Sequence, residues 1–239
     1  MKLLRFGLIA FITLISVTAI KAQTADEIIS KHVDAIGGKD VLAKVKSIYS
    51  EGAANAMGND YPSQTTVLVG KGFKSQTSVN GMDIIQVITD TSGWAMNPLA
   101  GQTEASPLPA ELVKKGQASL HVGGDLVGFK EKGFKDSLIG RETFQNVNTY
   151  KIKLSQPGTE MIYFIDPTTY YVLKVDSKVS IEGKDVASSV TFSNYKKTDI
   201  GYVVPYTMGV TNMGYDVTIN YTKIEINKDV DPKIFMMPK

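Results

Sequence analysis

The sequence has no cysteine. That excludes disulfides, thiolate metal sites, a cysteine nucleophile and lipid attachment at a cleavage-site cysteine. Histidine occurs only at His32 and His121, which fall in different elements. Arginine occurs only at Arg5 and Arg141. Readers of phosphates and base edges depend on the planar guanidinium fork, so no nucleic-acid partner is expected. There is no Gly-x-Ser-x-Gly elbow, HExxH, P-loop, dinucleotide fingerprint or Ca²⁺ loop. Ser119, His121 and Asp125 have the residue types of a hydrolytic triad. Three residues so close in one short segment seldom meet the required geometry. The expectation is a chain that is not an enzyme and needs no cofactor or metal. Beyond the N-terminal stretch no apolar run approaches membrane-spanning length. No internal repeat of solenoid period is visible.

What is there begins with Lys2 and Arg5, followed by an apolar run from Phe6 to Ile20 and a small residue at Ala22. This is the pattern of a cleavable signal peptide over 1–22, leaving one mature domain over 23–239. The full chain carries 26 Lys+Arg and 24 Asp+Glu. Removing Lys2, Arg5 and Lys21 leaves 23 basic against 24 acidic residues, so the basic balance belongs to the leader.

Thr24 and Glu27 have the spacing of a capping box. Ile28, Ile29, Val33 and Ile36 recur at helical spacing until Gly37-Gly38 stops the helix. His32 sits beside that stripe and reads as a boundary residue. A second short helix is expected over Asp40–Lys46. From Ser47 the period changes to that of strands. Asn80-Gly81 is a strong hairpin signal leading into Met82–Ile88, a run apolar on both faces and so expected to be a covered central strand. The hairpin Thr89–Pro98 follows and carries the only Trp, Trp94. Ala100–Gly133 breaks the strand pattern, with Pro107 and Pro109 before a short helix at Ala110–Lys115. Such an insertion suits a lid, a binding loop or a structural cap. From Phe134 a regular antiparallel series runs to Asn227, and Asp231–Phe235 reads as a last docked turn. The count is about ten or eleven strands and roughly three or four short helices. The fold class is mainly β (α+β): one strongly curved antiparallel sheet capped by helices.

The mature chain retains eight of the nine Met residues. Met suits surfaces that accept varied apolar shapes. A curved sheet on short helices can enclose a cavity, and Trp94, Met96 and Met82 are expected to line it. Ile84, Phe73, Met57, Met161, Phe164 and Met208 complete the expected ligand-binding set. Each could equally be ordinary core.

Four segments, Ala25–Ile48, Asp90–Pro98 with Gly101-Gln102-Thr103, Tyr163-Phe164-Ile165-Asp166, and Val230–Pro238, resemble the LolA-like family of outer-membrane lipoprotein-sorting proteins. The resemblance spans essentially the whole mature chain through diffuse motifs. It implies an open half-barrel closed by helices, and a monomeric periplasmic carrier binding acyl chains of lipoproteins or other lipids. It also implies an inner-membrane donor and an outer-membrane acceptor. Members of the family hold their lid shut with an Arg near the strand after the second hairpin. Here Val69–Lys74 offers only Lys71 and Lys74, which lack the bidentate fork. The alternative is a non-catalytic sensory or protein-interaction module on the same fold.

Overall fold

The structure, a computed structural model, describes residues 23–181, 184–212 and 214–238. The leader expected over 1–22 lies outside the described residues.

Thr24 caps the first helix α1 (Ala25–Ala35). Its hydroxyl accepts from the Glu27 N–H at 3.2 Å, and its own N–H donates to the Glu27 carboxylate at 3.1 Å. This reciprocal box was legible in the spacing. A one-turn helix α2 (Lys39–Leu42) follows. The strands then run β1 (Ser47–Ala56), β2 (Asn59–Leu68), β3 (Gly72–Val79), β4 (Met82–Thr89), β5 (Gly93–Asn97) and β6 (Gln102–Pro107). Helix α3 (Ala110–Gly116) and an irregular stretch interrupt them. The second series is β7 (Lys135–Phe144), β8 (Val147–Gln156), β9 (Thr159–Ile165), β10 (Val172–Ile181), β11 (Lys184–Lys197), β12 (Val203–Asn212) and β13 (Tyr215–Ile226).

The thirteen strands of the described residues form one sheet in the order β6-β5-β4-β3-β2-β1-β13-β12-β11-β10-β9-β8-β7. Every neighbouring pair is antiparallel. The count exceeds the sequence expectation partly because β6 went unread. Its Thr103, Glu104 and Pro107 suit an edge, where one side needs no partner.

Helices cover one face. There α1 packs Ile28 and Ile29 against Ile152, Leu154, Met161 and Tyr163 of β8 and β9. Val33, Ile36 and Leu42 pack against Val204, Ile48, Ile224 and Ile226, which belong to β12, β1 and β13. His32 is buried in this layer rather than at its boundary, and its Nδ1 donates to the Tyr170 carbonyl at 2.8 Å. Burial pulls its pKa below the ordinary imidazole value.

The opposite, outer face has its own small core. The C-terminal 3₁₀ turn Pro232–Phe235, capped by Asp231, lays Phe235 against Trp94 and Val87. The expected docked tail is therefore present. Strand β4 is covered on both faces at its C-terminal end: Val87 lies under this turn and Ile88 lies under α3. Its first residue, Met82, is exposed.

Candidate functional site

Helix α3 shows how strongly the sheet curls. At one end, Gly116 sits so close to Ile88 of β4 that an added Cβ would lie 2.8 Å from the Ile88 Cδ1. Val113 packs beside Gly93 of β5. Lys115, on the same helix, donates from Nζ to the Ser180 carbonyl of β10. Strands β4 and β10 are seven steps apart in the sheet order. On a flat sheet that would be about 34 Å, whereas a seven-residue helix is about 10 Å long. The two halves of the sheet must therefore fold toward one another, and α3 bridges them.

The register fixes which side chains look into this concavity. On β1, Ile48, Ser50, Gly52 and Ala54 face inward, because Ile48 packs with the helices and the strand alternates. Across the β11–β13 half, in-register rows are apolar. Val217 pairs with Val210, Val210 with Val190, and Val190 with Val175. A second row joins Ala54 to Ile219, Ile219 to Met208, and Met208 to Phe192. The first row continues through Tyr163 into the α1 core, where Ile152 is fully buried. Toward the middle of the sheet, Val190, Val210, Val217, Ile219 and Met208 are only half-buried and belong to none of the packed clusters. These side chains still have apolar surface to offer.

Five of the nine residues expected to contact a ligand face this side. Met208 is on the half-buried floor, Ile84 is half-buried on β4, Phe73 pairs with Ile88, Met82 is at the exposed end of β4, and Met161 is sealed within the α1 core. The other four do not. Trp94 and Met96 pair with Val87 and Ile85 on the outer face, in the cluster under Phe235. Trp94 Nε1 donates to the Phe235 carbonyl at 3.0 Å, so its polar edge is satisfied there. Trp94 therefore anchors the C-terminal turn and does not line the concavity. Phe164 is also on the outer face, beside Phe144, with the ammonium groups of Lys151 and Lys174 at 5.5 and 4.7 Å from its ring centre. Met57 is 87% exposed in the β1–β2 turn. Lys74 pairs with Val87 on the outer face, and Lys71 is exposed in a turn. The cation that fastens α3 is Lys115, which also pairs with Glu111 at 3.1 Å. Nothing in the sequence marked it out from other helix lysines.

Two further concavities contain none of the nine. One, of about 430 Å³, lies near the ends of β9–β12 around Asp176, Ser189 and Thr211. The other, of about 1070 Å³, separates α1 and α2 from residues 121–132. One ion pair links that segment to α1, Lys130 to Asp26 at 2.6 Å, and a second, Lys132 to Asp125 at 3.6 Å, lies within it. Its deepest apolar residues, Ile29, Val33, Leu42 and Leu126, are already sealed from water, so a ligand there would gain little from them. His121 is exposed at its rim, and Asp125 is engaged by Lys132, so no triad forms with Ser119. Among the described residues no group of three His, Asp or Glu could hold a metal ion. No described helix is long and apolar enough to cross a membrane.

No family model matches the chain, and no curated protein matches it in sequence. Solved structures do match. One is described as an outer-membrane lipoprotein-sorting protein domain from Vibrio parahaemolyticus. It has a TM-score of 0.58 at 14% identity, covering 88% of this chain and 97% of that one. A LolA superfamily protein from Nitrosomonas europaea matches at 0.56 and 14%, covering 90% and 98%. A DUF1329 family protein from Desulfovibrio piger matches at 0.58 and 15%, covering 89% and 97%. Identities this low speak to architecture alone. The chain has the LolA-like fold: a single curved, unclosed antiparallel sheet with short helices on its concave face.

Proposed function

We propose that this protein is a non-catalytic periplasmic carrier that binds acyl chains of lipoproteins or other lipids on the concave floor, beneath α3. One observation carries the reading. The floor built by Val190, Val210, Val217, Ile219 and Met208 is apolar, faces inward, and is left half-wet by the protein's own packing. Burying a methylene is worth roughly 0.8 kcal/mol. An acyl chain of about sixteen carbons laid there gains on the order of 12 kcal/mol before ordering costs. Helix α3, fastened by Lys115, is the element that must move to admit it. The leader pattern and the LolA-like fold support an exported protein handing its cargo from an inner-membrane donor to an outer-membrane acceptor.

The test is native mass spectrometry of protein purified without detergent, followed by rebinding of palmitoyl lipids after delipidation. The reading expects co-purified lipid and saturable rebinding. It expects Ile219→Lys to abolish binding while Trp94 emission, which reports the opposite face, stays unchanged. Lipid-free protein that binds no acyl probe would end this reading.

A further inference from the structure

The concave surface is not uniform. Opposite the apolar floor, the inward rows of β1–β4 carry hydroxyls. Ser50 pairs with Thr65, Thr65 with Ser75, and Ser75 with Gln86. In the next row Ser63 pairs with Thr77, and their hydroxyls are 3.1 Å apart. Ser50 and Ser63 are buried, and Thr65, Ser75 and Thr77 are half-buried. Tyr221 of β13 pairs with Gly52 and so faces the same side as this wall.

Two plainer uses of the wall do not fit its composition. A face meant only for water carries long charged side chains, as the outer face does with Lys174, Asp176 and Lys178 on β10 and Lys223 and Glu225 on β13. Among the described residues, the inward positions of β1–β4, β12 and β13 contain no Asp, Glu, Lys or Arg. A face meant only for hydrocarbon is built from Val, Ile and Met, as β11–β13 is, because a hydroxyl left without a partner under a ligand is costly. A wall of short hydroxyls without charge suits a ligand with uncharged hydrogen-bonding groups beside its chain.

We infer that the ligand is a neutral acyl glyceride, with ester and hydroxyl oxygens on the Ser63–Thr77 and Thr65–Ser75 rungs and acyl chain on the Ile219–Met208 floor. This rests on the reading of that floor as the acyl surface. An anionic carboxylate or phosphate placed on the same wall meets no cation from β1–β4, β12 or β13, while the Lys115 ammonium is already engaged by Ser180 and Glu111, and it loses its hydration. The wall thus selects by charge, while the floor binds chain of any origin.

The experiment compares 1-monopalmitoylglycerol with fully ionised palmitate by titration calorimetry on the full chain. Wild type is expected to bind the glyceride at least tenfold more tightly. The variants are Thr65→Val with Thr77→Val, nearly isosteric and favoured in strands, and separately Ser75→Ala. Each lost hydrogen bond should weaken glyceride binding by roughly threefold to tenfold and leave palmitate unchanged. The urea midpoint and Trp94 emission check folding. Equal binding of both probes by wild type, or an undiminished glyceride preference in both variants, overturns the inference while leaving the acyl floor standing. If neither probe binds, the floor reading falls and takes this one with it.

Discussion

Substituting Gly72 by Ala should undock the C-terminal turn. Gly72 is buried on the outer face of β3, and its backbone is in an ordinary strand conformation, so no strain arises from φ. The obstacle is Phe235. An added Cβ would lie 2.6 Å from the Phe235 Cγ and 2.7–2.8 Å from both Cδ atoms. The ring has no free end to swing away, because the turn behind it is fixed by Asp231 and by the bond from Trp94 Nε1. Relief requires the ring to leave its site. Returning a side chain that is only 6% exposed to water costs about 1.5–3 kcal/mol. Loss of the Trp94 hydrogen bond adds about 1 kcal/mol. The expected destabilisation is about 2–4 kcal/mol, several times the gain of about 0.5 kcal/mol that Ala otherwise brings to a strand. Urea unfolding followed by fluorescence measures it directly, since Trp94 is the only Trp. Its native emission should shift to the red as well. The decisive comparison is a double-mutant cycle. Phe235→Ala alone should cost about 3–5 kcal/mol, and in that background Gly72→Ala should be neutral or slightly stabilising. A Gly72→Ala protein with the wild-type urea midpoint and unshifted emission would refute the clamp. So would additive effects in the cycle.

Lys115→Met should release α3 from Ser180 with little global effect, on the order of 1 kcal/mol for a part-buried contact at the edge of solvent; hydrogen exchange of the α3 amides should accelerate, and unchanged protection would show that α3 is held by Val113 and Gly116 alone. His32 is kept neutral by burial, with its pKa below the ordinary value. The unfolded chain therefore takes up the proton first as pH falls, so stability is complete above about 6.5 and declines below it. Urea midpoints between about pH 5.5 and 7.5 should show this slope, and His32→Gln should flatten it.

Sequence pattern revealed what local rules govern. The Thr24–Glu27 box, the Asn80-Gly81 turn and the docked Asp231–Phe235 tail each follow from a few adjacent residues. The face that a strand residue occupies is a different matter when both faces are apolar. Met82–Ile88 alternates nothing, so no pattern said whether Trp94 shares the side of Ile88 or of Val87. The register settles it, pairing Trp94 with Val87, and the side chain that covers Trp94 comes from the far end of the chain. Phe164 poses the same problem, since Met161–Ile165 is continuously apolar. Residue type alone says nothing about position for Met57, which occupies a turn at φ 51°. The hydroxyl wall is present in the sequence as scattered Ser and Thr, and only the pairing of β1 through β4 assembles it into one surface.

The placement of β13 has a consequence for how the chain acquires its shape. Made last among the strands, it lies near the centre of the sheet, between β1 and β12. Without it the sheet divides into two, β1 to β6 and β7 to β12. Ala54 has no neighbour on that side until Ile219 arrives. Each partial sheet meanwhile exposes a bare hydrogen-bonding edge, the kind that recruits foreign strands. Closing so distant a seam makes folding slow relative to local β-hairpin formation. A chain truncated before residue 215 would lose its keystone rather than its rim, and should aggregate instead of persisting as a shortened version of the same protein.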